Sequence, residues 1–412
     1  MMVSQMLIRF LHWCKKVVLS PERIVYTRFV IPYLVKRIRK KKQIDVAFVV
    51  FELASWKTES LYNMMRDHLR FRPKLIIAPS LENVDEVSHV EDYLSDKGYI
   101  YYRIKKGDSI RKLFHPDIIF YQKPYNWCID RSLFFRRNLQ SLFCYMSYCF
   151  RNTNKDFNQN TLFHNYAWQV YAENNSVKEE MQEIMDNKGK NVIVTGLTVM
   201  DDLMHEKSFY HNPWHEQGPK KKVIYAPHHT INNEIVHRST FLQLGEFMLQ
   251  VAEKYKDQVQ WAFKPHPLLK KKLIMIWGEE KTNAYYEKWN SMENAQVENG
   301  EYMGLFKYSD AMIHDSGSFM LEYLYTKNPV MYLVSDSSFL LDANEQTLQA
   351  FEAHYHGQSE DEVESFIVNL LQGIDTKYDE RLSFYQTHLI PPGGVSVGDN
   401  VINAILGISN AY

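Results

Sequence analysis

Three histidine-bearing stretches in the second half of the chain have residue types that suit phosphate chemistry. They are Pro227-His228-His229-Thr230, Lys264-Pro265-His266-Pro267 and His314-Asp315-Ser316-Gly317-Ser318. Histidine can accept or donate a proton near neutral pH, and a lysine can offset phosphate charge. Each stretch follows a short apolar run that predicts a strand. We therefore expect them to meet at one edge of a parallel sheet, where such folds bind ligands.

The third stretch has the pattern of a strand, a small-residue turn and a helix that begins near Phe319. Free backbone N–H groups at a helix start, together with Ser316, Gly317 and Ser318, can hold a phosphate. Glu322 lies one turn into the helix, within reach of a ribose hydroxyl of a bound nucleotide. An ordinary helix cap is the alternative for this turn taken alone.

Each histidine taken alone also has a purely structural explanation. His266 lies between two prolines and can be a buried structural residue. His228 and His229 are adjacent, so we expect only one of them to face the site. His314 precedes the turn and can orient it from behind. Three such residues at strand ends in one half of the chain favour an active site.

The elements that would position these residues alternate between short apolar strands and amphipathic helices. This alternation predicts a doubly wound α/β fold. A polar stretch between Ser208 and Lys222 is the best domain boundary. At 412 residues the chain is long enough for two domains. We expect a basic N-terminal segment over residues 1–42 and α/β domains over residues 43–210 and 220–412.

Composition excludes several classes of protein. The net charge of −1 argues against a general nucleic-acid-binding protein. Four cysteines without paired spacing indicate reduced thiols in a cytosolic protein. No apolar run reaches the roughly 18 residues that a membrane span needs, and no signal peptide is recognisable. The sequence has no clear cluster of carboxylates that would indicate a metal site. We therefore expect neither a metal nor another cofactor.

The N-terminal segment, residues 1–42, is strongly basic and contains the single acid Glu22. Its apolar residues include Trp13 and Phe29, so its helices would be amphipathic and basic. Such helices lie on anionic membrane surfaces. The alternative is a helix packed on the domain with solvated lysines. We favour membrane contact, because aromatic residues stand at the polar boundary.

The second half resembles the CDP-glycerol:poly(glycerophosphate) glycerophosphotransferases of teichoic-acid synthesis. The resemblance is carried, over roughly residues 191–333, by the order and spacing of several motifs. These are Thr195-Gly196 with Asp201 and Asp202, Val223–Pro227, Lys264–Pro267, Ser309–Glu322 and Lys327–Tyr332. The resemblance implies a GT-B-like fold with two Rossmann-like domains facing a central cleft. The N-terminal domain would bind the acceptor and the C-terminal domain the nucleotide donor.

The resemblance also implies roles for individual residues. His266 would contact the donor phosphates or serve in acid–base catalysis, and Asp315, Ser316 and Ser318 would line the pyrophosphate of a CDP-linked donor. The family has a second catalytic histidine in a glycine-flanked loop of the first domain. Here that loop, residues 51–60, contains neither histidine nor glycine. His164, expected at another strand end, or Glu52 could replace it.

We therefore expect transfer of a polyol phosphate from CDP-glycerol or a related CDP-polyol to a polyol-phosphate or glycan acceptor, which can be lipid-linked. CMP would leave, with its charge held by the helix start, Ser316, Ser318 and Lys264. The enzyme would be peripheral on the inner face of the cytoplasmic membrane, with no nucleic-acid partner. A GT-B glycosyltransferase using a nucleotide sugar is one alternative. A non-catalytic binding protein of a polysaccharide assembly complex is another. The catalytic residues would be His266, His228 and His164; His229 and His314 would join the donor site.

Overall fold

The chain folds into two compact units. The first comprises Met1–Cys149, Lys155–Asp201 and Pro391–Tyr412, and the second comprises Phe150–Asn154 and Asp202–Ile390. The computed structural model describes residues 21–78, 86–105, 107–125, 130, 133–154, 159–215, 218–231 and 239–408.

A seven-stranded sheet forms the centre of the first unit. Its strands are β1 (Ile44–Val50), β2 (Phe71–Ile77), β3 (Tyr101–Arg103), β4 (Ile118–Tyr121), β5 (Leu142–Tyr145), β6 (Gln169–Ala172) and β7 (Val192–Val194). They are ordered β3-β2-β1-β4-β5-β6-β7, and every paired neighbour is parallel. Six of the seven residues of β1 are buried, as expected for a parallel strand covered on both faces.

Helices connect these strands. They are α1 (Ile31–Lys40), α2 (Glu59–Asp67), α3 (Glu86–Asp96), α4 (Ile110–Leu113), α5 (Leu162–Tyr166), α6 (Asn175–Ile184) and α7 (Thr198–Met204). Tyr26–Val30 forms one π-helical turn ahead of α1, and Leu53–Ser55, Phe135–Arg137 and Lys207–Phe209 are 3₁₀ turns. One large core cluster lies on the face of the sheet that carries Ala47, Ile119 and Phe143. Residues of the opposite face, such as Phe48 and Phe120, are buried as well.

A six-stranded parallel sheet forms the centre of the second unit. Its strands are β8 (Lys221–Ala226), β9 (Val259–Phe263), β10 (Ala295–Val297), β11 (Ala311–His314), β12 (Val330–Leu333) and β13 (Tyr355–Gly357). Their order is β10-β9-β8-β11-β12-β13. The chain therefore reverses its direction of winding between β8 and β11, and open α/β sheets bind ligands at such a switch point.

The helices of the second unit complete its two layers. They are α8 (Phe241–Lys254), α9 (Leu269–Trp277), α10 (Glu279–Ser291), α11 (Met303–Tyr308), α12 (Phe319–Glu322), α13 (Glu345–Glu352), α14 (Glu360–Gln372) and α15 (Tyr378–Phe384). Tyr323–Thr326 and Ser337–Asp342 are 3₁₀ helices, and Tyr385–Leu389 is π-helical. Trp261 and Trp289 are fully buried in the core beneath α8 and α10. The predicted α/β class with two doubly wound domains is confirmed.

The last helix, α16 (Val397–Leu406), follows a 3₁₀ turn at Pro392–Gly394 and belongs to the first unit. The Asp201 carboxylate accepts the backbone N–H groups of Val397 (2.7 Å) and Gly398 (2.9 Å) at the start of this helix. These bonds satisfy donors that a helix start leaves free. The sequence analysis placed this region in the C-terminal domain, residues 220–412; the structure differs because Asp201 holds α16.

One predicted strand end in the first unit is wrong. Residues around His164 form the helix α5, and the neighbour of β5 in the sheet is β6, which the sequence analysis did not assign. The side chains of Thr161 and His164 contact each other across the first turn of α5, 2.7 Å apart. This contact between positions three residues apart suits a helix and not a strand.

The N-terminal basic segment is described from residue 21 onward, and its first twenty residues lie outside the described part. Leu34 and Ile38 of α1 are buried against the unit, whereas Val25, Phe29 and Tyr33 are 54%, 68% and 66% exposed. The helix thus packs on the domain by one face and presents apolar residues to solvent on another. Among the described residues, no helix is long and apolar enough to cross a membrane.

Candidate functional site

The three histidine-bearing stretches lie side by side at the carboxyl edge of the second sheet. In the parallel register Tyr225 pairs with Phe263 on one side, and Ala226 pairs with His314 on the other. The loops that follow β8, β9 and β11 therefore leave the sheet at the same level. This edge includes the switch point, so the residues are placed where a ligand binds in this class of fold.

His228, His229 and His266 form a compact cluster. Their ring centroids are 4.3 Å apart for His228 and His229, 5.0 Å for His228 and His266, and 4.1 Å for His229 and His266. Both adjacent histidines after β8 thus join His266, whereas the sequence analysis expected only one of them to face the site. The backbone N–H of His266 donates to the Pro227 carbonyl (3.0 Å), which ties the two loops together.

Hydrogen bonds fix the orientation of two of these imidazoles. The Leu268 backbone N–H donates to His266 Nδ1 (3.1 Å), and Lys272 Nζ lies 2.9 Å from His229 Nδ1. An amide N–H and an ammonium are donors, so both Nδ1 atoms act as acceptors and the ring protons lie on Nε2. His228 Nδ1 lies 3.0 Å from Thr230 Oγ1, and a hydroxyl can donate or accept.

Burial keeps two of the imidazoles neutral. Burial first, and then the neighbouring His229 and Lys272, lower the pKa of His266 to about 4. The pKa of His229 is also lowered, by burial first and then by Lys272. Neutral imidazoles with Nε2–H groups are hydrogen-bond donors for the oxygen atoms of an anion. A bound phosphate would reverse part of the shift, because a negative charge favours the protonated ring.

The cluster also has the spacing of a metal site. One ring nitrogen from each of its three histidines lies within 4.8 Å of the others. A metal needs the lone pair of the coordinating nitrogen, however, and His229 and His266 carry their protons on the Nε2 atoms. The positive charge of Lys272, 2.9 Å from His229, opposes a cation as well. The arrangement fits an oxyanion better than a metal ion.

Asp315 positions the loop that carries His228. It is fully buried, and its carboxylate accepts hydrogen bonds from the backbone N–H groups of His228 (2.5 Å) and Thr240 (2.7 Å) and from the Thr240 hydroxyl (3.1 Å). Burial raises the pKa of Asp315 to about 6, against the lowering effect of these bonds. The sequence analysis placed Asp315 on the donor pyrophosphate; in the structure its oxygens hold the loop that carries His228.

The turn after β11 differs from the predicted phosphate cradle. The α-helical part of α12 has four residues and continues as a 3₁₀ helix, and Ser318 makes no capping hydrogen bond. The Ser316 backbone N–H donates to His314 Nδ1 (3.2 Å), so this group is already used within the protein. His314 is fully buried, and burial lowers its pKa to about 3. Ser318 is the exposed member of this turn.

Two further predicted donor-site residues are largely buried. Lys264 Nζ donates to the Gly300 carbonyl (2.7 Å), which connects the loops after β9 and β10. Glu322 is buried beneath the turn. Neither side chain faces solvent as a ribose or phosphate ligand would require, so their direct contact with a donor needs a change of rotamer.

The predicted first-domain candidates lie in the first unit. His164 is fully buried in α5 with its edge on the Tyr145 ring, at 4.5 Å between centroids. Glu52 follows β1 and forms a short ion pair with Lys123. His164 is therefore placed as a core histidine, and Glu52 as half of a partly buried pair.

The sequence analysis missed Lys272 and a neighbouring pocket. Lys272 is the third of three lysines that begin α9, six residues after His266, and that spacing was the available signal. The pocket, of about 550 Å³, has His266 in its wall together with residues of α10 and the end of β10. No pattern in the charged α10 sequence marked it.

Comparison with known proteins relates the chain to one family and to several solved structures. The family model described as CDP-Glycerol:Poly(glycerophosphate) glycerophosphotransferase matches residues 146–391. No curated protein matches the chain. A histidine-to-alanine variant of the wall teichoic acid polymerase TagF is 13% identical over 97% of this chain and 98% of that chain, with a TM-score of 0.58.

Two epimerase structures are similar to a comparable degree. A putative UDP-N-acetylglucosamine 2-epimerase from Listeria monocytogenes is 14% identical over 89% of this chain and 96% of that chain, with a TM-score of 0.58. A UDP-GlcNAc 2-epimerase from Neisseria meningitidis bound to UDP-GlcNAc is 14% identical over 89% of this chain and 100% of that chain, with a TM-score of 0.56. At these identities the likenesses show the fold, which is GT-B-like.

Proposed function

Because the chain belongs to the CDP-glycerol:poly(glycerophosphate) glycerophosphotransferase family, we propose that it transfers a polyol phosphate, glycerol phosphate first of all, from a CDP-linked donor. The acceptor is a hydroxyl of a lipid-linked or cell-surface glycan, and CMP is released. The observation that carries this proposal is the cluster of His228, His229 and His266 at the switch point. It offers neutral N–H donors and the nearby Lys272 ammonium to the oxygens of a diphosphate.

The proposed reaction is one displacement at phosphorus. The acceptor oxygen attacks the β-phosphorus, the bond from that phosphorus to the bridging oxygen breaks, and CMP leaves with that oxygen. His229 and His266 donate from Nε2 to phosphate oxygens, where charge increases in the transition state. Such donors, already oriented by Leu268 and Lys272, need no rearrangement when the charge develops.

His228 is the proposed base for the acceptor hydroxyl. The Thr230 hydroxyl, 3.0 Å from its Nδ1, can accept a hydrogen bond from a protonated Nδ1, and in that tautomer Nε2 has a free lone pair. The other two histidines are held in the opposite tautomer. Asp315 holds His228 in place through its backbone, and we propose it as a positioning residue.

We also propose that the protein lies on the inner face of the cytoplasmic membrane. The apolar residues Val25, Phe29 and Tyr33 recur every four residues and are exposed, with Arg28 and Lys36 exposed beside them. An apolar stripe with flanking cations suits the surface of an anionic bilayer. This position would keep the enzyme beside a lipid-borne acceptor.

Nucleotide release tests the proposal directly. The purified protein is incubated with CDP-glycerol, CDP-ribitol and a panel of UDP-, GDP- and CDP-sugars, with and without a membrane extract. CMP from a CDP-polyol, lost in His266→Ala, is the expected result. A nucleoside diphosphate from a sugar donor would show a glycosyltransferase instead. A protein that neither binds nor cleaves any donor would be a non-catalytic member of an assembly complex.

A further inference from the structure

Along the strand order of the second sheet, the pocket beside His266 and the turn after β11 lie in opposite directions from β8. In the order β10-β9-β8-β11, the pocket is between the loop after β9 and the end of β10, whereas Asp315 and Ser318 lie next to β8 on the other side. His266 belongs to both regions. A ligand that extends from the histidine cluster in this direction would enter the pocket.

One face of α10 forms the far wall of the pocket. Asn283, Tyr286, Glu287 and Asn290 line it, at the spacing of three and four residues that places side chains on one helix face. Asn283, Glu287 and Asn290 are exposed. The asparagine amides can both donate and accept hydrogen bonds, and the glutamate carboxylate accepts them. Such groups recognise hydroxyls.

Tyr286 is the aromatic residue of the pocket wall. Its side chain lines the pocket but is only 7% exposed. Within the described part of the chain, its buried hydroxyl has no hydrogen-bond partner. The hydroxyl oxygen is closed off from solvent, so the pocket is lined by the Tyr286 ring.

Lys270 determines which class of ligand fits. Its Nζ lies 5.1 Å from the centre of the Tyr286 ring, so a cation covers a face of the aromatic ring that lines this pocket. A nucleobase would need an open aromatic or apolar slot, and most of the remaining wall is amide and carboxylate. A phosphate beside Lys270 and His266, with hydroxyls toward α10, matches these groups.

We propose that this pocket binds a polyol phosphate, with its phosphate at Lys270 and His266 and its hydroxyls at Asn283, Glu287 and Asn290. The proposal rests on the proposed function, because it assigns part of that reaction's substrate to a place. The same chemistry can come from the polyol of the donor or from the terminal unit of the acceptor. Its volume of about 550 Å³ is within the range of small-molecule sites.

Binding of sn-glycerol 3-phosphate to the full chain tests the proposal without catalysis. Calorimetric titration of the native protein should show binding, and Glu287→Ala combined with Asn290→Ala should weaken it about tenfold, the effect of one or two lost hydrogen bonds. Lys288→Ala, an exposed position of α10 that does not line the pocket, is the matched control. CMP affinity should stay unchanged in the double variant. An equal loss of CMP affinity, or unchanged glycerol phosphate affinity, would overturn the proposal.

Steady-state kinetics then identifies the source of the polyol phosphate. A raised KM for CDP-glycerol in the double variant assigns the pocket to the donor, and a raised KM for the acceptor assigns it to the acceptor. If glycerol phosphate binding depends on α10 but the protein releases no CMP, the pocket proposal stands and the proposed function is overturned. CMP release with native KM values in the double variant would overturn the pocket alone.

Discussion

Asp315→Asn should change how stability depends on pH. Burial raises the pKa of Asp315 from 3.8 to about 6, so the folded protein holds this proton more tightly than the unfolded chain. The stabilising contribution is therefore complete below the unfolded pKa and is lost as the pH rises through 6. This step in pKa corresponds to about 3 kcal/mol.

Asparagine does not titrate, so the variant lacks this loss. It also has one acceptor oxygen for the three donors of His228 and Thr240, which adds a pH-independent cost of about 1–3 kcal/mol. Relative to the native protein, the variant should therefore gain about 3 kcal/mol between about pH 4 and about pH 7. This gain is read from the difference between the unfolding free energies of the two proteins, so the titration of all groups that they share cancels.

Urea unfolding followed by circular dichroism across this pH range measures both free energies. Asp257→Asn, an exposed carboxylate after α8, is the control and should run parallel to the native protein at every pH. If the unfolding free energies of Asp315→Asn and the native protein change in parallel with pH, burial does not raise the pKa of Asp315. A gain in the same direction, together with reduced CMP release, would support its positioning role.

Three further predictions concern the histidine cluster and the membrane surface. Lys272→Met removes a cation that lowers the pKa of His266, so this pKa, followed by NMR of the imidazole ring, should rise, whereas Lys272→Arg should keep its native value. Phe29→Ser should reduce co-sedimentation with vesicles of anionic lipid several-fold, and Leu69→Ser, at a still more exposed apolar residue outside the helix, should not. Chelation should leave CMP release unchanged, because two imidazoles of the cluster carry their protons on Nε2.

Each of these expectations has a clear opposite. An unchanged pKa of His266 in Lys272→Met would show that Lys272 does not act on His266. Equal vesicle binding by Phe29→Ser and the native protein would remove the exposed stripe from the membrane contact. Stoichiometric zinc that chelation removes together with activity would show that the ring protons are placed differently.

The strands could be predicted where burial is nearly continuous. Ala311–His314 is an apolar run, and its strand assignment and the carboxyl-edge position of the histidines followed from the sequence. β6 begins with Gln169, a buried polar residue whose amide donates to the Ala404 carbonyl of the last helix (3.1 Å). Its partner is 235 residues away in the chain, so local pattern could not reveal the strand.

The finer features of the site depend on contacts that spacing does not encode. The residue types around Asp315 suggested a phosphate ligand, and its burial against backbone donors from the connection between β8 and α8 became visible only in three dimensions. The same holds for the tautomers of His229 and His266, which depend on Lys272 and Leu268. Residue type identified the cluster, and tertiary hydrogen bonds decide what each ring can do.

The return of α16 to the first unit sets an order for folding during synthesis. All six strands of the second unit precede α16 in the chain, so its sheet can form before α16 is made. The first unit, although it is made first, lacks the partner of Asp201 until Val397 emerges, roughly 10–40 s after Asp201 itself at typical translation rates. During that interval the surface that α16 later covers is exposed, and chaperones can bind to it.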